Sequence, residues 1–270
     1  MKFFEGLGKG VADYGSALSF IFKHKLGWFF LVPIFLNILL FVGGFAAIGS
    51  LTDYVEAYVL DAVSLKDATF WGAEILSGIL AGTVWLIFKV VFFFVFAYTG
   101  GYIVLILMSP VLAYLSEKTE QLLTGKEYPF DAEQLMRDIV RGVLIALRNL
   151  FYELMVMLVF FIVGLIPVIG WLVGLAAPIV LFLVAAYFYG FSFTDYVNER
   201  QKLSVKESVK FMKKNKGMIT GNGLPFALIL LIPFFGLMLS GFAAIVAVVA
   251  AVISTKDIIN DIPNSQITKA

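Results

Sequence analysis

Between Leu26 and Thr52 the chain carries no charged side chain at all, and between Ile75 and Leu115 it carries one, Lys89. About 20 apolar residues suffice for a helix to cross the hydrocarbon core of a bilayer, so both runs are long enough to span. A chain that is 61% hydrophobic and 14% charged cannot bury this surface as a water-soluble globule, and a membrane is its expected solvent.

Two later apolar stretches carry the same break, Leu165-Ile166-Pro167-Val168-Ile169-Gly170 and Leu231-Ile232-Pro233-Phe234-Phe235-Gly236. Proline removes a backbone donor and glycine frees the chain to turn, so each reads as the tip of a helical hairpin. A repeated broken segment in a membrane protein points to a transport path.

The polar segments fall between these features. Residues 1–25 are predicted to form an amphipathic helix on the membrane surface, with Phe3, Phe4, Leu7, Val11, Tyr14, Leu18 and Phe22 on one face. Because this segment precedes the apolar run, no cleaved signal peptide is expected. Two long spans occupy 26–115 and an acidic loop joins them. Residues 116–153 are expected to be cytoplasmic helices, with Asp131 and Gln134 suited to a helix start. The first broken hairpin covers 154–194 and a basic linker 195–217, in which Ser204 and Glu207 make a capping box. The second hairpin covers 218–255, and 256–270 is a tail. The expected fold is therefore an all-α integral membrane protein: an N-terminal amphipathic helix, two long transmembrane helices and two partly inserted Pro-x-x-Gly hairpins.

Lys and Arg number four before the first span, one in the acidic loop, five in the middle segment, seven in the linker and two in the tail. The positive-inside bias then places both termini, the middle segment and the linker in the cytoplasm, so each hairpin enters and leaves by one face. The incoming arms, Leu154 to Ile166 and Met218 to Ile232, are about 20 and 23 Å long at 1.5 Å per residue. The hydrocarbon core is about 30 Å thick, hence the expectation of partial insertion.

With no cysteine and one histidine, His24, thiolate and histidine metal sites are excluded. Phosphate-binding loops, metalloprotease helices and nucleophile elbows are absent, and an enzyme is the least expected class. No metal, cofactor or nucleic-acid partner is expected.

Ser109-Pro110-Val111-Leu112-Ala113-Tyr114-Leu115-Ser116-Glu117-Lys118, closing in Leu122-Leu123-Thr124-Gly125, resembles a segment of the CysZ sulfate permeases and the related etoposide-induced-protein family. So do the tip at Ile166 to Gly170, Asp195-Tyr196 with Asn198, and the Leu31 to Leu40 run with Pro33 and Asn37. The resemblance covers about Ala12 to Thr255, in order. It implies a bacterial inner-membrane homo-oligomer of two long spans and two inserted hairpins, associated with sulfate uptake for cysteine synthesis. A Gly-Ile/Leu-Arg motif before the first span is linked in the family to sulfate binding. The matching positions here are Lys25, Leu26 and Gly27, so glycine stands where the family has arginine.

The candidate anion-binding or pore residues are Lys25, Lys89, Arg141, Arg148, Gly170 and Gly236. Lys25 either binds a sulfate oxygen or anchors the helix to lipid phosphate. Lys89, near mid-membrane, either lines a path or pairs structurally. Arg141 and Arg148, seven apart, share a helix face that either concentrates anions or contacts headgroups, with Glu153 close enough to compensate one of them. Gly170 and Gly236 open outgoing arms, where backbone amides are positioned to face an anion. Lys206, Lys210, Lys213 and Lys214 form a basic patch expected to face lipid. Two functions stand: a passive, sulfate-like anion permease lined by the hairpins, or a non-transporting membrane organiser that binds lipid or a partner.

Overall fold

The computed structural model describes residues 2–39, 54, 58, 73–125, 131–166, 168–232 and 235–260. Among these residues all regular structure is helical. The order is α1 (Phe3–Lys23), a 3-10 turn (Leu26–Phe30), α2 (31–39), α3 (Ala73–Thr124), α4 (Ala132–Gly164), α5 (Ile169–Arg200), α6 (Val205–Lys214), α7 (Lys216–Leu230) and α8 (Gly236–Asn260). Four stretches are long and apolar enough to cross a membrane: Gly100–Thr124, Ala132–Gly164, Gly170–Arg200 and Gly236–Lys256. The protein is thus an all-α, multi-pass membrane protein.

The chain divides into two compact units. One comprises residues 34–100, of which the described part is helical. The other comprises residues 1–33 and 101–270 and contains every contact described below.

Local sequence explains the helix starts. Asp131 accepts hydrogen bonds from the amides of Glu133 (2.9 Å) and Gln134 (3.1 Å), as its position predicts. The Ser204–Glu207 capping box forms, with the Ser204 amide donating to Glu207 Oε2 at 2.9 Å and the Glu207 amide to Ser204 Oγ at 3.3 Å. Those bonds favour the ionised carboxylate and hold Glu207 below the usual range.

Three boundaries differ from expectation. The first incoming arm is not a separate 13-residue helix but the last part of α4, 33 residues and about 50 Å long. Likewise, α3 runs on through the polar residues 116–124, and α5 through 195–200. The polar residues that suggested breaks are instead buried against other helices: Ser116, Thr119, Glu120, Asp138, Asn149, Glu153 and Asp195. The length argument for partial insertion therefore applies only to α7, which has 15 residues.

The core of the larger unit lies around α7 and α8. From Ala243 to Val252 every residue of α8 is buried, and α7 packs against α1, α5 and α8. The approach is set by glycines. A Cβ on Gly223 would collide with the carbonyl oxygen of Ala186, and one on Gly190 with that of Ile219. On the other face of α7, Gly217 abuts the Phe3 carbonyl and Gly221 the Leu7 carbonyl, while a Cβ on Gly10 would lie 2.5 Å from the Met218 oxygen. In lipid, helices gain little by burying apolar surface, so such backbone-close contacts carry much of the association.

This packing gives α1 a second, protein-facing side. Its buried face is Gly6, Gly10, Ala17 and Ile21, held against α7 and α8, whereas Phe4, Val11, Leu18 and Phe22 are exposed. A polar clamp reinforces it: Ser254 Oγ lies 2.5 Å from Asp13 Oδ2 and 3.1 Å from Asn222 Oδ1, and Tyr14 donates to the Asn222 carbonyl at 2.5 Å. Asn222 thus acts between helices, as expected of an intramembrane asparagine.

Candidate functional site

At the end of α1 the chain turns into the 3-10 segment Leu26–Phe30. Lys25 makes the corner, with a left-handed backbone (φ 58°) and an exposed side chain. Leu26 and Phe29 anchor the turn in the core, and Phe29 packs on Tyr114 with ring centroids 6.0 Å apart. Gly27 is open: a Cβ built there meets nothing within 4 Å. Lys23 and Lys25 therefore present two exposed ammonium groups beside a position with room for a long side chain.

The arginines of α4 have separate surroundings. Arg141 Nε lies 2.9 Å from Asp195 Oδ2 and its Nη2 lies 3.2 Å from Asp195 Oδ1, while Nη1 reaches Glu199 and the Leu203 carbonyl (2.7 Å). Asp195 also accepts from Ser208 Oγ, which in turn accepts from Asn198 Nδ2 at 2.8 Å. Arg141 is thus closed inside an α4–α5–α6 network with two carboxylates.

A second closed pair joins α5 to α3. Arg200 Nε donates to Glu120 Oε2 at 2.6 Å and its Nη2 to Ser116 Oγ at 2.9 Å, while Gln201 donates to Glu120 Oε1 at 3.2 Å. Sequence reasoning missed this pair because arginine and glutamate lie 80 positions apart; only its helical context reveals it.

Arg148 is different. Among the described residues it has no carboxylate partner, and it is the one arginine of four in that state. It donates to Asn149 Oδ1 at 3.1 Å, and its guanidinium lies over the rings of Tyr152 (4.9 Å) and Phe191 (5.2 Å). Asn149 is itself held by bonds to the Phe188 carbonyl (3.2 Å) and Ser192 Oγ (3.0 Å). The stack fixes the half-buried cation and leaves hydrogen-bond donors of the guanidinium uncommitted.

Glu153 was expected to compensate an arginine. It instead accepts from Tyr102 Oη at 2.6 Å, in a buried pocket beside Tyr189, whose ring centroid is 4.9 Å from that of Tyr102.

At the tips, Pro167, Pro233 and Phe234 lie outside the described residues. The Gly170 amide donates to the Ile166 carbonyl at 2.7 Å and the Gly236 amide to the Ile232 carbonyl at 2.8 Å. A Cβ on Gly170 would collide with the Gly164 carbonyl, and one on Gly236 would lie 2.7 Å from the oxygens of Ile229 and Leu230. The amides of Gly170 and Gly236 themselves are therefore used within their own turns, and each turn requires a residue without a side chain. Lys89 falls within α3, but its side chain lies outside the described residues. Lys206, Lys210, Lys213 and Lys214 are all exposed on α6, whose buried face is Ser208, Phe211 and Met212.

An all-helical membrane protein with fixed buried ion pairs and, among the described residues, one guanidinium without a carboxylate is the class that these features define. The chain belongs to the Sulfate transporter CysZ/Etoposide-induced protein 2.4 family, which it matches over residues 14–240. Among its relatives, a protein of Vibrio parahaemolyticus serotype O3:K6 named Sulfate transporter CysZ is 26% identical over 234 residues, covering 86% of this chain and 88% of that one. A protein of the same name from Vibrio cholerae serotype O1 is 27% identical over 234 residues, covering 86% and 87%. Another, from Pseudomonas aeruginosa strain LESB58, is 27% identical over 231 residues, covering 83% and 87%.

Proposed function

We propose that this protein is a passive permease for sulfate or a similar oxyanion, working as a homo-oligomer in a bacterial inner membrane with both termini in the cytoplasm and feeding sulfur assimilation. The observation that carries the reading is that relatives named for sulfate transport match this chain and their own lengths almost end to end. Arg148 supports it from the chemical side. A guanidinium held by aromatic faces and lacking a carboxylate is suited to a doubly charged oxyanion, which it can meet with parallel N–H donors. Lys23 and Lys25 supply a second cationic station at the bend. Arg141 serves the fold, and Gly170 and Gly236 serve as turn residues that let broken helices line the path. Lys89 is a further candidate along α3.

Flux of radiolabelled sulfate into liposomes carrying the purified protein tests the reading. Uptake that saturates and needs no ATP is expected; no uptake above protein-free vesicles at several salt concentrations would overturn it.

The open position at Gly27 gives a second expected result. Arginine stands at this position in the family's motif, and here nothing obstructs a side chain. Gly27→Arg is expected to tighten half-saturation for sulfate about tenfold, the gain of one charge-assisted hydrogen bond of about 1.5 kcal/mol. Unchanged half-saturation would remove the bend from the anion path.

A further inference from the structure

A cavity of about 60 Å³ opens where the start of α1 meets the α6–α7 junction. Lys2, Lys214 and Lys216 line it, with Gly6 and Gly217 among the other lining residues, and no lining residue is acidic. The three lysines are exposed and come from two stretches of chain, Lys2 before α1 and Lys214 with Lys216 at the α6–α7 junction, brought together because Gly217 packs directly on the Phe3 carbonyl. The acids nearest in sequence serve helix starts: Glu5 accepts from the backbone amide of Lys2 at 3.4 Å, and Glu207 is held in the Ser204 cap. Three ammonium groups thus converge on one cavity without a carboxylate ion pair among the described residues.

A second feature begins two residues away. Phe4, Val11, Leu18 and Phe22 form a straight apolar stripe along the outer face of α1, and Phe4 is 83% exposed. On a helix whose opposite face is packed against α7 and α8, this stripe has the chemistry of a surface that lies against acyl chains. A cationic cavity at one end of an apolar stripe matches the two ends of a phospholipid.

We propose that Lys2, Lys214 and Lys216 form a binding site for the phosphate of an anionic phospholipid whose acyl chains lie along the Phe4–Phe22 stripe of α1. Bound lipid bridges α1 to the α6–α7 junction and holds α1 down on the bilayer surface. The three lysines are separate from the residues proposed to handle the transported anion, so this site and the transport reading stand or fall independently.

The test uses the purified full-length protein in neutral detergent, titrated with phosphatidylglycerol, phosphatidylcholine, glycerol 3-phosphate or inorganic phosphate while lipid retention is read by native mass spectrometry. The variants are Lys2→Gln/Lys214→Gln/Lys216→Gln and, as a control of the neighbouring basic surface, Lys206→Gln/Lys210→Gln. Wild type and control are expected to retain phosphatidylglycerol over phosphatidylcholine, and the triple variant to bind it at least about tenfold more weakly, since each lysine near an anionic headgroup contributes comparably. Equal retention by the triple variant overturns the site. Competition by inorganic phosphate or glycerol 3-phosphate at similar concentrations would assign the cavity to a free anion and overturn the lipid. A Phe4→Gln variant separates the two ends: weaker phosphatidylglycerol retention is expected, and unchanged retention removes the stripe from the proposal.

Discussion

Gly223→Leu is expected to yield protein that does not survive extraction as a single species, whereas Gly174→Leu behaves as wild type. Gly223 and Gly190 form a reciprocal contact in which each Cβ position is occupied by a carbonyl of the facing helix, Ala186 on α5 and Ile219 on α7. A backbone atom cannot rotate away as a side-chain tip can, so the helices must separate. Separation would also pull apart the ring contacts of Phe226 with Tyr189 (4.9 Å) and Phe193 (5.1 Å), which lie on the same interface. Overpacking costs about 1–3 kcal/mol in ordinary cores and more where backbone must move. At about 2–4 °C per kcal/mol, a loss of 3 kcal/mol lowers the melting temperature by about 6–12 °C. Size-exclusion profile and thermal unfolding in detergent measure it. Gly174 meets nothing within 4 Å and is the matched control. Wild-type behaviour of Gly223→Leu would mean that α5 and α7 do not approach through these glycines.

The same glycines show which parts of the fold were legible. Caps declare themselves locally, so Asp131 and the Ser204–Glu207 box were readable from residue type and spacing. So were the turns, because Gly170 and Gly236 follow proline at fixed distance inside apolar runs. The buried face of α1 was not. Its contact is made by Gly6 and Gly10, which weigh little on any hydropathy scale, and the conspicuous phenylalanines face away from the protein. The i, i+4 pairs Gly6/Gly10 on α1 and Gly217/Gly221 on α7 were the available signal. Among the glycines of the arms, Gly241 permits a close approach, with Pro33 Cβ 2.8 Å from its Cβ position, whereas Gly164 and Gly174 have open space beside them. The continuity of α4 was hidden for a related reason. Asp138, Asn149 and Glu153 resemble a soluble helix in sequence, and only their partners Gln134, Ser192 and Tyr102, the last two on other helices, make them interior residues. At the candidate site, spacing placed Arg141 and Arg148 on one face but gave no way to tell them apart. Asp195 and Glu199, which decide the matter, are more than 50 positions away.

That difference makes the two arginines a discriminating pair. Arg148→Gln is expected to reduce sulfate flux at least about tenfold at subsaturating sulfate, the loss of a charge-assisted contact of about 1.5–3 kcal/mol. Its stability cost is set by the stacking on Tyr152 and Phe191, about 1 kcal/mol. Arg141→Gln should show the reverse balance. Asp195 is 3% exposed, and with Glu199 it would be left without its counter-ion; stranding one partner of a buried ion pair costs about 3–5 kcal/mol. Adding Asp195→Asn removes one of the stranded charges, so the double variant is expected to recover part of that stability. Flux per folded molecule for Arg141→Gln should stay close to wild type once the amount of folded protein is normalised. Equal loss of normalised flux in both variants would place the paired arginine on the anion path as well. Full flux in Arg148→Gln would mean that the uncompensated guanidinium holds the α4–α5 hairpin together and that the anion passes elsewhere.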